Sequence, residues 1–324
     1  MKQFRVLRRI GTVPISDNGF ATLDLPRDYD YESIFVRITG SVDVGTLATA
    51  VRAEAPCQAI KRLELIADGK NNLFSAPFWF ACLGSYDRKA LHNGARAITP
   101  PSGVAVATYA VEAFGSIDVM MLDGVRPKDS NFRSMGLSLL QLRLTFGAPG
   151  DMFVGGAATY NNLTAEIFVQ QLVEGVGPNG EVTSPVLLKK VSYQEVSLLA
   201  SNANQEIRLP AGNLIKSVLV RTEGATTAGE PDTATINAAQ LSAGLDVRLN
   251  LNGGQIRGKN NMDFGYIPDG YYILDLMNRG GPANNITELW DVSGAAEPKL
   301  ILDVNGSANR KMQAVVTEFI AAVR

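Results

Sequence analysis

The stretch LDLPRDYDYESIFVRITG (residues 23–40) returns as IRLPAGNLIKSVLVRTEG (residues 207–224), and that return decides the fold. Set side by side without a gap, the two agree at Leu25/Leu209, Pro26/Pro210, Ser33/Ser217, Val36/Val220, Arg37/Arg221 and Gly40/Gly224, always 184 positions apart. Six identities in eighteen positions are well above chance. A chain that repeats itself at such a spacing is built from two copies of one structural unit.

The likeness extends on both sides. Upstream, LRRI (7–10) matches LKKV (188–191) at an offset of 181. Downstream, KRLELIADG (61–69) resembles VRLNLNGG (247–254), pairing Arg62, Leu63 and Leu65 with Arg248, Leu249 and Leu251 at an offset of 186. SIDVMM (116–121) then aligns with ILDLMN (273–278) at 157, LRLTFG (142–147) with LILDVN (300–305) at 158, and AEIFVQQLV (165–173) with VVTEFIAAV (315–323). The drop from 186 to 157 predicts about 29 extra residues in the first copy between Gly69 and Asp118. The segment VEGVGPNGEVTSP (173–185) has the glycine and proline content of a linker. Domains over 1–179 and 180–324 are therefore expected.

Within a copy, short β-branched and aliphatic runs such as IFVRITG, LELIAD, VATYAVEAF and LQLRLTF alternate with polar residues and end in Gly, Pro, Asn or Asp clusters. Period-two patterning of this kind predicts an antiparallel all-β sandwich rather than βαβ units. About eight strands per copy make an eight-stranded jelly roll the economical choice. The exception is NNLFSAPFWFACLGSYDRKALHNG (71–94), where Ser75 is a candidate cap, Pro77 fits an early helical position, and Trp79, Leu83 and Tyr86 fall at helical spacing. One helix is expected there, as the main difference between the copies.

Composition narrows the function. A formal net charge of −2 provides no global field to gather phosphates, which disfavours nucleic-acid binding as the main role. No apolar run is long enough to span a bilayer, and MKQFRVLRRI lacks the apolar core of a signal peptide. Cys57 and Cys82 are too few for a disulfide framework or a zinc cluster and read as buried free thiols. With one histidine, His92, and no GxSxG elbow, multi-histidine metal sites and a serine triad are disfavoured. No cofactor and no catalytic residue is assigned.

Three segments imitate sites. GGQIRGKN (253–260) nearly spells a phosphate-binding loop but has Asn260 where a hydroxyl should hold magnesium, so a glycine-rich turn is expected. DYDYE (28–32) sets Asp28, Asp30 and Glu32 on one side of an extended stretch, yet lacks the glycine of a calcium loop and reads as a solvated acidic loop. The start of the chain carries Lys2, Arg5, Arg8 and Arg9 with no acid among them. Such an arm suits an anionic surface, or else is a frayed end leading into an edge strand.

A near-neutral, cysteine-poor chain with the paired LxLP…S..VR..G signature and two tandem jelly rolls resembles the double jelly-roll major capsid proteins of tailless icosahedral viruses with an internal membrane, such as corticoviruses and tectiviruses. The resemblance implies a structural, non-enzymatic subunit of the virion capsid, assembled in the host cytoplasm. Its implied partners are two further copies in a homotrimer, neighbouring capsomers, minor capsid and penton proteins, and internal membrane lipids near Lys2, Arg5, Arg8 and Arg9, with no sequence-specific nucleic acid. Two similar domains in each of three chains imitate a hexagon. The alternatives are a glycan-binding or hydrolytic protein on paired jelly rolls, and a minor capsid or spike protein.

Overall fold

Alternation governs the strands: in Leu140–Phe146 the side chains of Leu140, Leu142, Leu144 and Phe146 are buried, while Gln141, Arg143 and Thr145 between them are more open. Burying one such leucine contributes about 1.5–3 kcal/mol, so a one-residue slip that turned the row to water would be costly. A computed structural model of the chain describes residues 4–83, 102–119, 132–173, 187–224, 229–265, 267–276, 289–294 and 297–321. The chain divides into two compact units, Met1–Leu188 and Lys189–Val323. The expected linker at 174–185, including the boundary at 179/180, lies outside the described residues.

The first unit contains β1 (Phe4–Pro14), β2 (Phe20–Asp24), β3 (Asp30–Thr46), β4 (Ala50–Val51), β5 (Ile60–Ala67), β6 (Asn71–Ala76), the helix α1 (Phe78–Leu83), β7 (Ala107–Asp118), β8 (Leu140–Phe146), β9 (Phe153–Val154) and β10 (Ala157–Val173). Antiparallel pairing places them in the orders β1-β10-β3-β7 and β2-β8-β5-β6, with β4 and β9 as a small separate ribbon. Ile34, Val36 and Ile38 from the first sheet and Leu63, Leu65, Leu142 and Leu144 from the second are fully buried.

The second unit contains β11 (Leu187–Ser197), β12 (Asn202–Arg208), β13 (Leu214–Thr222), β14 (Ile236–Ala243), β15 (Asp246–Asn252), the helix α2 (Gly253–Phe264), β16 (Tyr271–Asp275), β17 (Trp290–Asp291), β18 (Pro298–Val304) and β19 (Lys311–Ala321). Its orders are β11-β19-β13-β16 and β12-β18-β14-β15, which repeat the first unit strand for strand. Its core gathers Val218, Val220, Leu241, Leu274, Leu300, Leu302, Val316 and Trp290. Each unit is an eight-stranded antiparallel jelly roll.

Most positions of the opening signature acquire a job. Leu25 and Leu209 are buried, and each donates its N–H to the first residue of the neighbouring strand, Leu140 O at 2.8 Å and Pro298 O at 2.8 Å. Pro26 and Pro210, without an N–H, then end the ladder. Ser33 and Ser217 stand opposite Asp118 and Asp275, themselves a matched pair in the repeat, and Ser33 Oγ donates to Asp118 Oδ1 at 2.7 Å. Val36 and Val220 fill the two cores. Gly40 has φ +141°, and a Cβ there would meet Asn162 O at 2.4 Å across the irregular register of β3 and β10. Only glycine fits that crossing.

The alignment of the two copies needs correction at one hairpin. KRLELIADG is β5 with its turn, whereas VRLNLNGG is β15, the counterpart of β6 and not of β5. Both strands flank the same hairpin position and alternate alike, so side-chain periodicity alone aligned the wrong members. The true partner of β5 is β14, INAAQLSA. The expected short helix of the first copy is present as α1 after β6, and the second copy carries a helix as well, α2, at the equivalent point after β15. Within 71–94, Asn71–Ala76, Ser75 included, is strand; the helix starts at Phe78 and residues 84–94 lie outside the described residues.

Candidate functional site

The basic arm and the acidic stretch answer each other. Arg5 Nε contacts both carboxylate oxygens of Glu32, at 2.9 and 2.8 Å, and Gln170 Nε2 donates to Glu32 Oε2 at 2.5 Å. Arg8 forks onto Asp28 at 2.9 and 2.5 Å, with its guanidinium 6.0 Å from the Tyr29 ring centre. Arg9 reaches Thr12 and lies 3.4 Å from Glu166. Burial pushes the Asp28 carboxyl up, but hydrogen bonding and charge from Arg8 outweigh it and hold the group below its ordinary value. Lys2 lies outside the described residues.

These contacts correct the picture of a solvated acidic loop. Asp30 and Glu32 open β3 and are buried, and Glu32 is fully buried because Arg5 compensates its charge. The arm itself is β1, an edge strand paired with β10 from Phe4↔Val173 to Pro14↔Thr164. Both oxygens of Glu32 already have donors, so they are engaged rather than free for calcium. Among the described residues no group of three His, Cys, Asp or Glu side chains is placed to hold a metal ion.

On the face of β1-β10-β3-β7 turned away from the core, Phe35 stacks on Phe114 at 5.6 Å and on Phe168 at 5.3 Å. Phe114 is 36% exposed, and Leu7 on the same face is 64% exposed. Arg37 with Glu112 at 2.7 Å, and Glu166 at 3.5 Å from Arg37, form a charged border beside the rings. An apolar centre with a charged rim is the build of an association surface. Period two places Phe35, Phe114 and Phe168 outward in the sequence, but only the register brings three different strands' rings together.

GGQIRGKN is helix and not the expected turn: it forms most of α2, which follows an antiparallel strand. Asn252 caps it by accepting from Gln255 N at 2.8 Å, and Gln255 Oε1 accepts in turn from Asn252 N at 3.0 Å. Ile256, Asn260 and Phe264 face inward at helical spacing, and Asn260 bonds both Ile273 N (2.8 Å) and Ile273 O (2.7 Å). Lys259 pairs with Asp263 on the helix surface. The residue that broke the phosphate-loop pattern is a structural tie to β16.

Trp79 and Trp290 are buried at 4% and 1% exposure and offer no open platform to a sugar ring. Cys57 and Cys82 are both buried, as expected, and are not joined in a disulfide. His92 lies outside the described residues.

No family model and no curated relative matches the sequence. Solved structures do match. The MCP of STIV, Sulfolobus turreted icosahedral virus, superposes with a TM-score of 0.72 at 14% identity, over 98% of this chain and 97% of that one. The chain has the double jelly-roll fold. The same double jelly roll matches the PBCV-1 virus capsid protein with a TM-score of 0.67 at 12% identity, over 98% of this chain and 94% of that one. The major capsid protein of bacteriophage PM2 follows at 0.62 and 14%, over 99% and 98% of the two chains. At such identities the shared property is the fold.

Proposed function

We propose that this double jelly roll is the major capsid protein of an icosahedral virus, a structural subunit without enzymatic activity that associates with copies of itself. The observation that carries the reading is the full-length correspondence with the STIV MCP, which leaves only a few per cent of either chain outside the shared fold. Two equivalent jelly rolls per chain and a closed threefold supply six similar edges, so the capsomer is a homotrimer that imitates a hexagon and meets its neighbours in the virion shell. Minor capsid and penton proteins complete the shell, and assembly takes place in the host cytoplasm. The domain boundary lies near residue 180.

The Leu7, Phe35, Phe114 and Phe168 face is the candidate contact between copies. Light scattering on the purified protein is expected to give three times 34.7 kDa. Phe114→Asp, which sets an unpaired charge in the apolar centre, is expected to reduce that mass. A wild-type monomer at micromolar concentration would overturn the trimer.

The arm Lys2, Arg5, Arg8 and Arg9 is proposed to lie on the interior side of the shell, near anionic lipid of an internal membrane. Its ion pairs leave little net charge, so it orients the subunit more than it adds affinity. Changing Arg5, Arg8 and Arg9 to Ala bares their acidic partners, and co-sedimentation with anionic liposomes at low salt is expected to fall. Unchanged binding would restrict the arm to holding β1 in place.

A further inference from the structure

The chain has two cysteines in 324 residues, and the fold brings them together. Cys57 sits in the short 3-10 turn Ala55–Ala59 that leads into β5, and Cys82 in α1, which follows β6. Their Sγ atoms are 3.4 Å apart, and the two residues are 3% and 2% exposed. Both cysteines lie beside buried small residues, Ala55 and Ala59 in the turn and Ala81 in the helix. The two sulfurs, on different elements, are already in contact and must close to about 2.05 Å to bond.

We propose that Cys57 and Cys82 are a latent disulfide that closes after the subunit leaves a reducing compartment. The oxidant is a low-molecular-weight disulfide. One thiol loses its proton and its thiolate attacks a sulfur of the small disulfide, releasing one small thiol and forming a mixed disulfide; the second thiolate then displaces the other. Two protein thiols and one small disulfide thus become one protein disulfide and two small thiols, which carry the two electrons and two protons. In a cytoplasm held reducing the pair stays open; outside it the pair closes. Burial of both sulfurs makes the step wait for local opening of α1, so closure is slow in the native subunit. The closed bond ties the entrance of β5 to the exit of β6 and holds both ends of that hairpin in the second sheet of the first jelly roll.

The test uses the whole protein, incubated with oxidised glutathione, then unfolded in excess N-ethylmaleimide and weighed by mass spectrometry, beside an untreated sample. The expected product is an unalkylated monomeric chain 2 Da lighter than the reduced protein. Its Tm is expected to rise by about 5 °C, the shift produced by closing a loop of this length in a chain of this size, and to return with dithiothreitol. Cys57→Ser and Cys82→Ser should each take up one maleimide or one glutathione and show no rise. Two maleimides on the treated wild type, or glutathione retained on both cysteines, would overturn the proposal. Because the decisive readings come from the wild-type chain with and without reductant, they hold even if a serine variant folds poorly.

Discussion

Replacing Arg221 with Ala is expected to cost about 3–5 kcal/mol of stability, read as a lower denaturant midpoint, while the same replacement at Arg37 leaves the midpoint within error of wild type. The two arginines are one position of the repeat, 184 residues apart, on matched strands β13 and β3. Their surroundings differ. The Arg221 side chain is 1% exposed, with Nη1 at 2.7 Å from Glu223 Oε1 and Nη2 at 2.8 Å from Gly229 O. Removing it strands the Glu223 carboxylate, 11% exposed, without its nearest cation. Arg37 is 45% exposed and pairs with Glu112, 58% exposed, where water replaces the lost partner. Equal losses at the two sites would show that burial does not set the worth of these pairs. Arg221→Met, which fills the space without a charge, should do no better than Ala while Glu223 is present and should improve in combination with Glu223→Gln.

Trp290→Ala is expected to cost about 3–5 kcal/mol, because it empties the largest side chain of the second core. Trp290 is 1% exposed, lies among Ile215, Leu241, Leu300 and Val316 in that core, and extends β13 through the pair Ile215↔Trp290. Its Nε1 donates to Asp246 Oδ2 at 3.1 Å, at the start of β15. Trp290→Phe keeps most of the buried area and loses that donor, so about 1 kcal/mol is expected for it. Urea unfolding followed by far-UV circular dichroism measures both. A loss for Ala no larger than for Phe would mean that the core closes over the cavity.

Much of the fold was legible because a strand in a sandwich writes its two faces into the sequence at period two. β8 and β18 were aligned correctly as LRLTFG and LILDVN because their buried rows, Leu142, Leu144 and Phe146 against Leu300, Leu302 and Val304, match in register. β5 and β15 were mispaired for the same reason: alternation reports that a strand has a buried face but not which strand lies beside it. The helix α2 escaped because Gly253, Gly254 and Gly258 lower helix propensity, and its support comes from the Asn252 cap and from Asn260 bonding Ile273 in another strand. The arm and the acidic stretch were both visible as charge, yet neither showed that Arg5 belongs to Glu32 and Arg8 to Asp28, pairs 27 and 20 positions apart.

By itself the sequence determined that this is a duplicated all-β chain, where the Leu-Pro ends of β2 and β12 fall, and which residues turn inward, since these follow from local backbone chemistry and from the cost of exposing apolar rows. Only the tertiary structure decided that Ser33 meets Asp118, that Arg221 is buried while Arg37 is not, that three phenylalanines share one open face, and that Cys57 touches Cys82. Those are contacts between distant segments, and their partners are chosen by strand order and register, which no local pattern encodes.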